Sequence, residues 1–241
     1  MICEGCNIRL QLLTMNMSEF VNLSTRLSAI ASLVRDNVNF VDVGTDHGYL
    51  PIFLVKTNKL KNAVATDIAC GPLSKAKSNI ESAGLSENIE VRLSDGLTNV
   101  NLQKPCDIVI AGMGGELISE IISGKPELRD NDINLILQPM TKADCLREFL
   151  ADNGFEIVSE ELVCDGKIYQ VILSYYSGKA YKLSNAEKLV GKKDARKQSD
   201  LFFEFVSQKI MSLRQISEGK KLANIDCSYE VELIEELLRL V

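Results

Sequence analysis

The stretch Asn39-Phe40-Val41-Asp42-Val43-Gly44-Thr45-Asp46-His47-Gly48-Tyr49-Leu50 decides how this chain of 241 residues folds. An apolar, β-branched run stops at two glycines four residues apart, with Asp42 and Asp46 on either side of Gly44. Leu50-Pro51-Ile52-Phe53-Leu54-Val55 then continues the pattern of a helix. Pro51 is tolerated only in a first turn, which places the helix start near Tyr49. A strand that ends in a tight turn and feeds a helix N-terminus is where open α/β sheets bind ligands, in the crevice beyond the carboxyl ends of the strands. The first helical turn also offers N–H groups that have no intrahelical partner.

The rest of the chain is organised around this unit. Upstream, Leu23, Leu27, Ile30 and Val34 recur at helical spacing and predict a helix over 22–34, capped by Asn22 or Ser24. Downstream, strands over 62–67, 89–93, 106–111 and 133–137 alternate with helices over 73–83, 116–123 and 142–152. Gly84 and Asn153-Gly154 supply helix stops. That alternation implies a parallel, doubly wound sheet. It then breaks: 155–163 and 168–176 are strand-like runs around Cys164-Asp165-Gly166-Lys167, and Asp-Gly is a strong hairpin signal. An antiparallel pair is therefore expected at the sheet's end. After Ser177-Gly178, Phe202, Val206, Ile210, Leu213 and Ile216, and then Val231, Ile234, Leu237 and Leu238, predict two helices joined near 224–226 as an αα-hairpin. The domain reading is an extension over 1–16, a ligand-binding α/β domain over 17–178 and a helical appendage over 179–241.

Composition narrows the class. Hydrophobic residues make up 46% and charged residues 25%, ordinary for a soluble globular protein. No segment has the length and apolarity of a membrane span or the features of a signal peptide. The seven cysteines are scattered and there is one histidine, a pattern of reduced thiols that points to the cytoplasm. Cys3 and Cys6 form a lone Cys-x-x-Cys, short of the four ligands a structural zinc needs, so no metal is expected. Residues before Met17 fit nothing that follows, and Met17 is an alternative start. The net charge of −6 argues against nucleic acid, but its distribution does not. Between Lys179 and Lys221 stand eleven Lys and Arg against five Asp and Glu, a local +6, which leaves −12 on the remainder. An acidic body with a basic appendage can orient a polyanion.

Four strands end in residues with chemical potential: Gly44-Thr45-Asp46-His47-Gly48, Asp67, Asp95-Gly96 and Gly112-Met113-Gly114-Gly115. Each alone is explained by turns and caps. Together, at one edge of a parallel sheet, they suit a ligand with a ribose, a base and a charged part. An acid such as Asp67, about twenty residues past the first turn, is placed to bind ribose hydroxyls. NAD and S-adenosylmethionine both qualify. The first turn is Gly-x-x-x-Gly, not Gly-x-Gly-x-x-Gly, and the charges of Asp42 and Asp46 oppose a pyrophosphate at the helix N-terminus. They suit a cationic sulfonium and an ammonium better.

Several motifs closely resemble the bacterial tRNA (adenine-22-N1)-methyltransferase family. They are Val41-Asp42-Val43-Gly44-Thr45-Asp46-His47-Gly48-Tyr49-Leu50-Pro51, Gly71-Pro72-Leu73, Arg92-Leu93-Ser94-Asp95-Gly96-Leu97, Ile110-Ala111-Gly112-Met113-Gly114-Gly115 and Leu135-Ile136-Leu137-Gln138-Pro139. Asn22-Leu23-Ser24-Thr25-Arg26-Leu27 and Asp165-Gly166-Lys167-Ile168-Tyr169 are similar to it as well. The match runs in family order from about Met17 to Tyr176, and the C-terminal part matches only in type. The resemblance implies an α/β, Rossmann-like class I methyltransferase sheet with a terminal antiparallel hairpin and a C-terminal coiled-coil-like helical appendage. It further implies S-adenosylmethionine as donor, and tRNA as the substrate, methylated at N1 of one adenine in the elbow region.

On that reading the donor is held by Asp42, Gly44, Thr45, His47, Gly48, Tyr49, Asp67, Ile68, Asp95, Gly96, Gly112, Met113 and Gly114. Asp67 takes the ribose hydroxyls, and Asp95 faces the adenine amine with Gly96 allowing close approach. Asp46, the catalytic candidate, has two alternative tasks: orienting the target adenine through its amino group, or holding the methionine end of the donor. His47 is expected to be a structural or wall residue. Tyr49 is expected either to stack on a base or to pack under the turn. Arg26 is placed to reach a phosphate or cover the cofactor, and Gln138-Pro139 to bind the base edge. The tRNA backbone falls to Lys188, Lys192, Lys193, Arg196 and Lys197. A dinucleotide-dependent oxidoreductase, a methyltransferase acting on another RNA, and a noncatalytic RNA-binding protein that keeps the fold are the alternatives. Oligomeric state is not readable, and a monomer is compatible with the sequence.

Overall fold

The computed structural model describes residues 22–197 and 199–240. The leading extension, the Cys3/Cys6 pair and Met17 lie outside the described residues. Helix α1 (Thr25–Leu33) precedes β1 (Asn39–Val43), α2 (Tyr49–Lys56), β2 (Ala63–Asp67), α3 (Cys70–Ser82) and β3 (Ile89–Leu93). There follow β4 (Cys106–Gly114), α4 (Gly115–Ser123), β5 (Ile133–Thr141) and α5 (Ala143–Asp152). The hairpin β6 (Phe155–Asp165) and β7 (Lys167–Tyr176) leads into α6 (Asn185–Val190), α7 (Asp200–Leu222) and α8 (Ser228–Leu238). Ser24 caps α1 as expected, its hydroxyl accepting the Leu27 N–H. Helix α3 starts three residues earlier than the predicted Leu73, at Cys70, because Pro72 sits within the first turn, where no N–H is needed.

The seven strands form one sheet in the order β3-β2-β1-β4-β5-β7-β6. Strands β1 to β5 are parallel, and β7 runs antiparallel to both β5 and β6. Alternate residues of each central strand enter opposite cores. Ile108, Ile110, Leu135 and Leu137 pack with Ile118 and Ile122 of α4 and Leu146 and Leu150 of α5. Phe40, Val109 and Ile136 face the other way, onto Ile30 of α1, Leu50 and Leu54 of α2 and Ile80 of α3. Burial on both faces is why these strands read as continuous apolar runs. The parallel direction of β1 to β5 brings the segments that follow these strands to one edge of the sheet.

The C-terminal region departs from the expected division at Lys179. Tyr181, Leu183 and Ala195 pack into the core beneath the sheet. The Glu160 N–H donates to Ala195 O and the Lys197 N–H to Glu160 O, so this segment lies along β6. It contains α6, a helix not predicted above, although Ser184 and Glu187 form a capping box that announces it. Helices α7 and α8 pair through Phe202, Val206, Ile210, Leu233 and Leu237, and rest on Leu162 and Ile168 of the hairpin. Ile216, Val231 and Leu238 were expected in this seam and are exposed instead. On α8 the expected Ile234 and Leu237 do pack into the seam, joined by Leu233, while Glu230 is buried as the partner of Lys220.

Candidate active site

The turn after β1 is held open by backbone conformations that glycine adopts most readily. Gly44 and Gly48 have φ of +72° and +70°. A side chain at Gly44 would fall on the Met113 methyl, whereas one at Gly48 would make only ordinary contact with Ala76 and Ile80 of α3. The Gly44 and Thr45 N–H groups both donate to Thr66 O at 2.9 Å, which ties the turn to β2. The Thr45 hydroxyl donates to Asp42 Oδ2 at 2.7 Å. Asp42 is buried, and burial pushes its carboxyl from the ordinary 3.8 up to about 6; the Thr45 hydrogen bond opposes that rise and the nearby Asp67 adds to it.

Asp67 closes β2 with both carboxylate oxygens engaged. Oδ1 accepts the Ala69 N–H at 2.9 Å and Oδ2 the Asp46 N–H at 3.3 Å. A carboxylate oxygen carries more than one lone pair, so each can still accept a ribose hydroxyl. The next residue, Ile68, is exposed, as is Leu93 at the end of β3. Asp95 and Gly96 line a cleft of about 220 Å³ with Leu117 and Ile121. A side chain on Gly96 would come within 3.0 Å of Ile121, so only glycine leaves that approach open.

A larger cleft, about 420 Å³, lies over the first turn. It brings together Arg26, Asp42, Gly44, Thr45, Asp46, His47, Tyr49 and Gly112 from the sequence-derived set. Met140 and Tyr169 join them, neither singled out as a site residue from the sequence. The Asp46 carboxylate is exposed at the outer side, 3.4 Å from His47 Nε2. His47 stacks on Tyr49 with ring centroids 5.2 Å apart, so Tyr49 is at the surface and does not pack under the turn. Asn79 of α3, also missed, donates to His47 O at 2.9 Å and fixes the loop from outside. Met113 packs against the core and lies against Gly44. Gly114 ends β4 ahead of α4.

Gln138 and the basic residues of the C-terminal region are placed differently from expectation. Gln138 is fully buried and all its polar atoms bond within the protein, so its amide does not present an edge to a base. Pro139 is likewise buried. Lys188 pairs with Glu148 at 2.6 Å, Lys192 with Glu156 and Lys197 with Glu161. Arg196 donates to Gly191 O and lies over the Phe202 ring. Lys193 is exposed with its backbone N–H bonded to Glu187. Long-range pairing of this kind leaves no trace in local charge counts.

This arrangement fits a cationic nucleoside donor: Gly44 and Gly96, where a side chain would meet Met113 and Ile121, a buried acid beside an exposed one, a ribose-competent Asp67 and exposed apolar Ile68. Comparison with known proteins agrees. The family profile for a methyltransferase domain matches residues 23–172. The tRNA (adenine(22)-N(1))-methyltransferase of Bacillus subtilis is 34% identical over 204 residues, covering 82% of this chain and 85% of that protein. The chain belongs to that family. Among solved structures, a Streptococcus pneumoniae protein in complex with S-adenosyl-L-methionine is 33% identical with a TM-score of 0.77, covering 90% of this chain and 100% of that one. The M. capricolum TrmK in complex with S-adenosyl-homocysteine is 28% identical with a TM-score of 0.75, covering 90% and 97%. Family membership accounts for the strand-end motifs and for the helices that follow the sheet. Among the described residues, no cluster of side chains could hold a metal ion and no helix is long and apolar enough to cross a membrane.

Proposed function

We propose that this protein methylates N1 of adenine-22 in bacterial tRNA with S-adenosylmethionine as donor, in the cytoplasm. The observation that carries the proposal is the cleft over Gly44. It is lined by buried Asp42, exposed Asp46, Arg26 and Tyr169, and the Asp46 N–H ties it to the ribose-competent Asp67. Bound S-adenosylmethionine supplies a methyl group on a cationic sulfonium. Asp42, Gly44, Thr45, Asp67, Ile68, Asp95, Gly96 and the Gly112 turn would hold it, with Asp67 available to the ribose hydroxyls and Asp42 as a buried counter-charge.

Adenine N1 carries a lone pair and no proton at neutral pH, so the protein has no base to provide. Its work is positioning, which can lower a barrier by several kcal/mol. The target base must leave its stack to enter the cleft. Asp46, exposed at the mouth, accepts from the adenine amino group and faces the positive charge that the base acquires. Its exposure, against the burial of Asp42, favours this task over holding the methionine end of the donor. Arg26 and Lys193 meet tRNA phosphates. Lys188, Lys192 and Lys197 take part only by exchanging their carboxylate partners.

The test is methylation of unmodified tRNA transcripts with labelled donor, followed by mapping of the modified base. Label at N1 of adenine-22, and none in a transcript with guanine there, is the expected outcome. Label at another nucleotide, or none in any tRNA, overturns the reading. An Asp46→Asn variant should lose turnover while keeping donor affinity; loss of donor binding instead would assign Asp46 to the donor.

A further inference from the structure

We propose that Gln138 is a positioning residue that orients Arg26 without neutralising it, and that its oxygen joins the tRNA side of the cleft to the donor-side turn at Gly112. The inference rests on the reading of the cleft given above. Gln138 ends the apolar run of β5 and is fully buried. Its Oε1 accepts from Arg26 Nη1 at 2.8 Å and from the Gly112 N–H at 3.2 Å. Its Nε2 donates to Pro139 O at 3.0 Å and approaches Met140 Sδ at 3.5 Å. The amide has one sensible orientation: reversed, its NH2 would confront two donors and its oxygen a carbonyl.

The choice of an amide is the informative feature. A guanidinium at this place would be anchored more tightly by a carboxylate, through a charge-assisted pair. Arg26 does have a carboxylate neighbour, but Asp165 Oδ2 accepts the Arg26 backbone N–H at 3.3 Å, with no ion pair to the side chain. On its remaining side the guanidinium lies 5.6 Å from the Tyr169 ring centroid, again a neutral partner. Three of the four other described arginines before Lys179 do pair with acids: Arg35 with Asp107, Arg92 with Glu90 and Arg147 with Glu160. Among the described residues no carboxylate lies within ion-pair distance of the Arg26 guanidinium, so Arg26 reaches the cleft with its direction set by a neutral acceptor and its charge available to an anion. Because Gly112 donates to the same oxygen, a change in the donor-side turn moves the acceptor that aims Arg26.

Gln138→Glu separates this role from a purely structural one. It keeps an acceptor for both Arg26 and Gly112 but pairs the guanidinium. The second carboxylate oxygen meets Pro139 O where the amide N–H stood, so the melting temperature should fall, while S-adenosylhomocysteine affinity, measured calorimetrically, stays close to wild type and tRNA kcat/KM drops roughly tenfold. The affinity for tRNA should also depend less steeply on salt, since one cation is withdrawn. In an Arg26→Ala background the same substitution should have no further effect on tRNA. Wild-type behaviour of Gln138→Glu, or effects that add to those of Arg26→Ala, would overturn the proposal. Should Gln138→Glu fail to fold, Arg26→Lys on the surface of α1 serves instead. A lysine keeps the charge but lacks the planar fork through which Gln138 sets the direction toward an anion, so tRNA kcat/KM falls while S-adenosylhomocysteine affinity stands; full activity would refute the role. Binding of tRNA, measured alongside, keeps this test separate from the identity of the methylated base. A wild type that labels another nucleotide defeats the functional reading and leaves the comparison of variants intact.

Discussion

The Thr45 hydroxyl donates to Asp42 Oδ2 across 2.7 Å at the base of the cleft, and it opposes the burial that drives the Asp42 carboxyl up to about 6. The consequences for stability and for binding have opposite signs. The folded state binds the Asp42 proton more tightly than the unfolded chain does, so the group's contribution to stability falls as pH rises from the ordinary 3.8 to about 6 and is constant above that. A cationic ligand wants the charged form. Donor affinity, measured by calorimetry, should therefore decline as pH is lowered through about 6. Asp42→Asn should lose at least about tenfold in donor affinity while gaining on the order of 2 kcal/mol of stability near neutral pH, and nothing near pH 4, where the native carboxyl is protonated. Thr45→Val removes the opposing hydrogen bond and should move the pH threshold for donor binding upward.

A second prediction concerns the joint between the sheet and the C-terminal helices. Arg147 and Glu160 are both buried, and the guanidinium donates from Nε to Glu160 Oε2 at 2.8 Å, to Gln170 Oε1 at 2.7 Å and to Lys188 O at 2.9 Å. Glu160 Oε1 accepts the Lys192 N–H at 2.6 Å. One ion pair thus fastens α5, β6, β7 and the segment after α6. Glu160→Ala leaves a buried guanidinium unpaired and should cost about 3–5 kcal/mol in urea unfolding. The double change Arg147→Met with Glu160→Leu should recover much of that loss. An additive loss in the double variant would show that the pair is not the source of the effect.

The third prediction separates the basic residues of the C-terminal region. Lys193 is exposed, whereas Lys188 is held by Glu148 at 2.6 Å. Lys193→Ala should weaken tRNA binding and reduce the slope of log affinity against log salt by about one unit. Lys188→Ala should change the slope less, since its charge is already compensated. Donor affinity should be unaffected in both. A steeper loss for Lys188→Ala than for Lys193→Ala would mean that the ion pair opens on tRNA and that the local charge excess decides the interface.

Local sequence signals specify the order and type of the elements of the sheet and the strand-end turns that line the candidate site. Apolar runs in β1, β2, β4 and β5, helix punctuation at Ser24 and Gly84, and the Asp165-Gly166 hairpin are local signals, set by backbone sterics and by burial on two faces. Gly44, Asp67, Asp95 and Gly112 were legible for the same reason: turn chemistry is written within a few residues. The Ser184-Glu187 capping box was equally local and was missed because α6 is too short to show apolar periodicity. The features absent from local sequence depend on residues far apart in the chain. Gln138 meets Arg26 across 112 positions and faces away from any base; Tyr169 enters the cleft from the hairpin; Glu148, Glu156 and Glu161 claim the lysines that a charge count assigns to tRNA. Period and composition report which face of an element is buried. They do not report which polar partner another element brings to it, and that pairing settles which charges this cleft has left for its ligands.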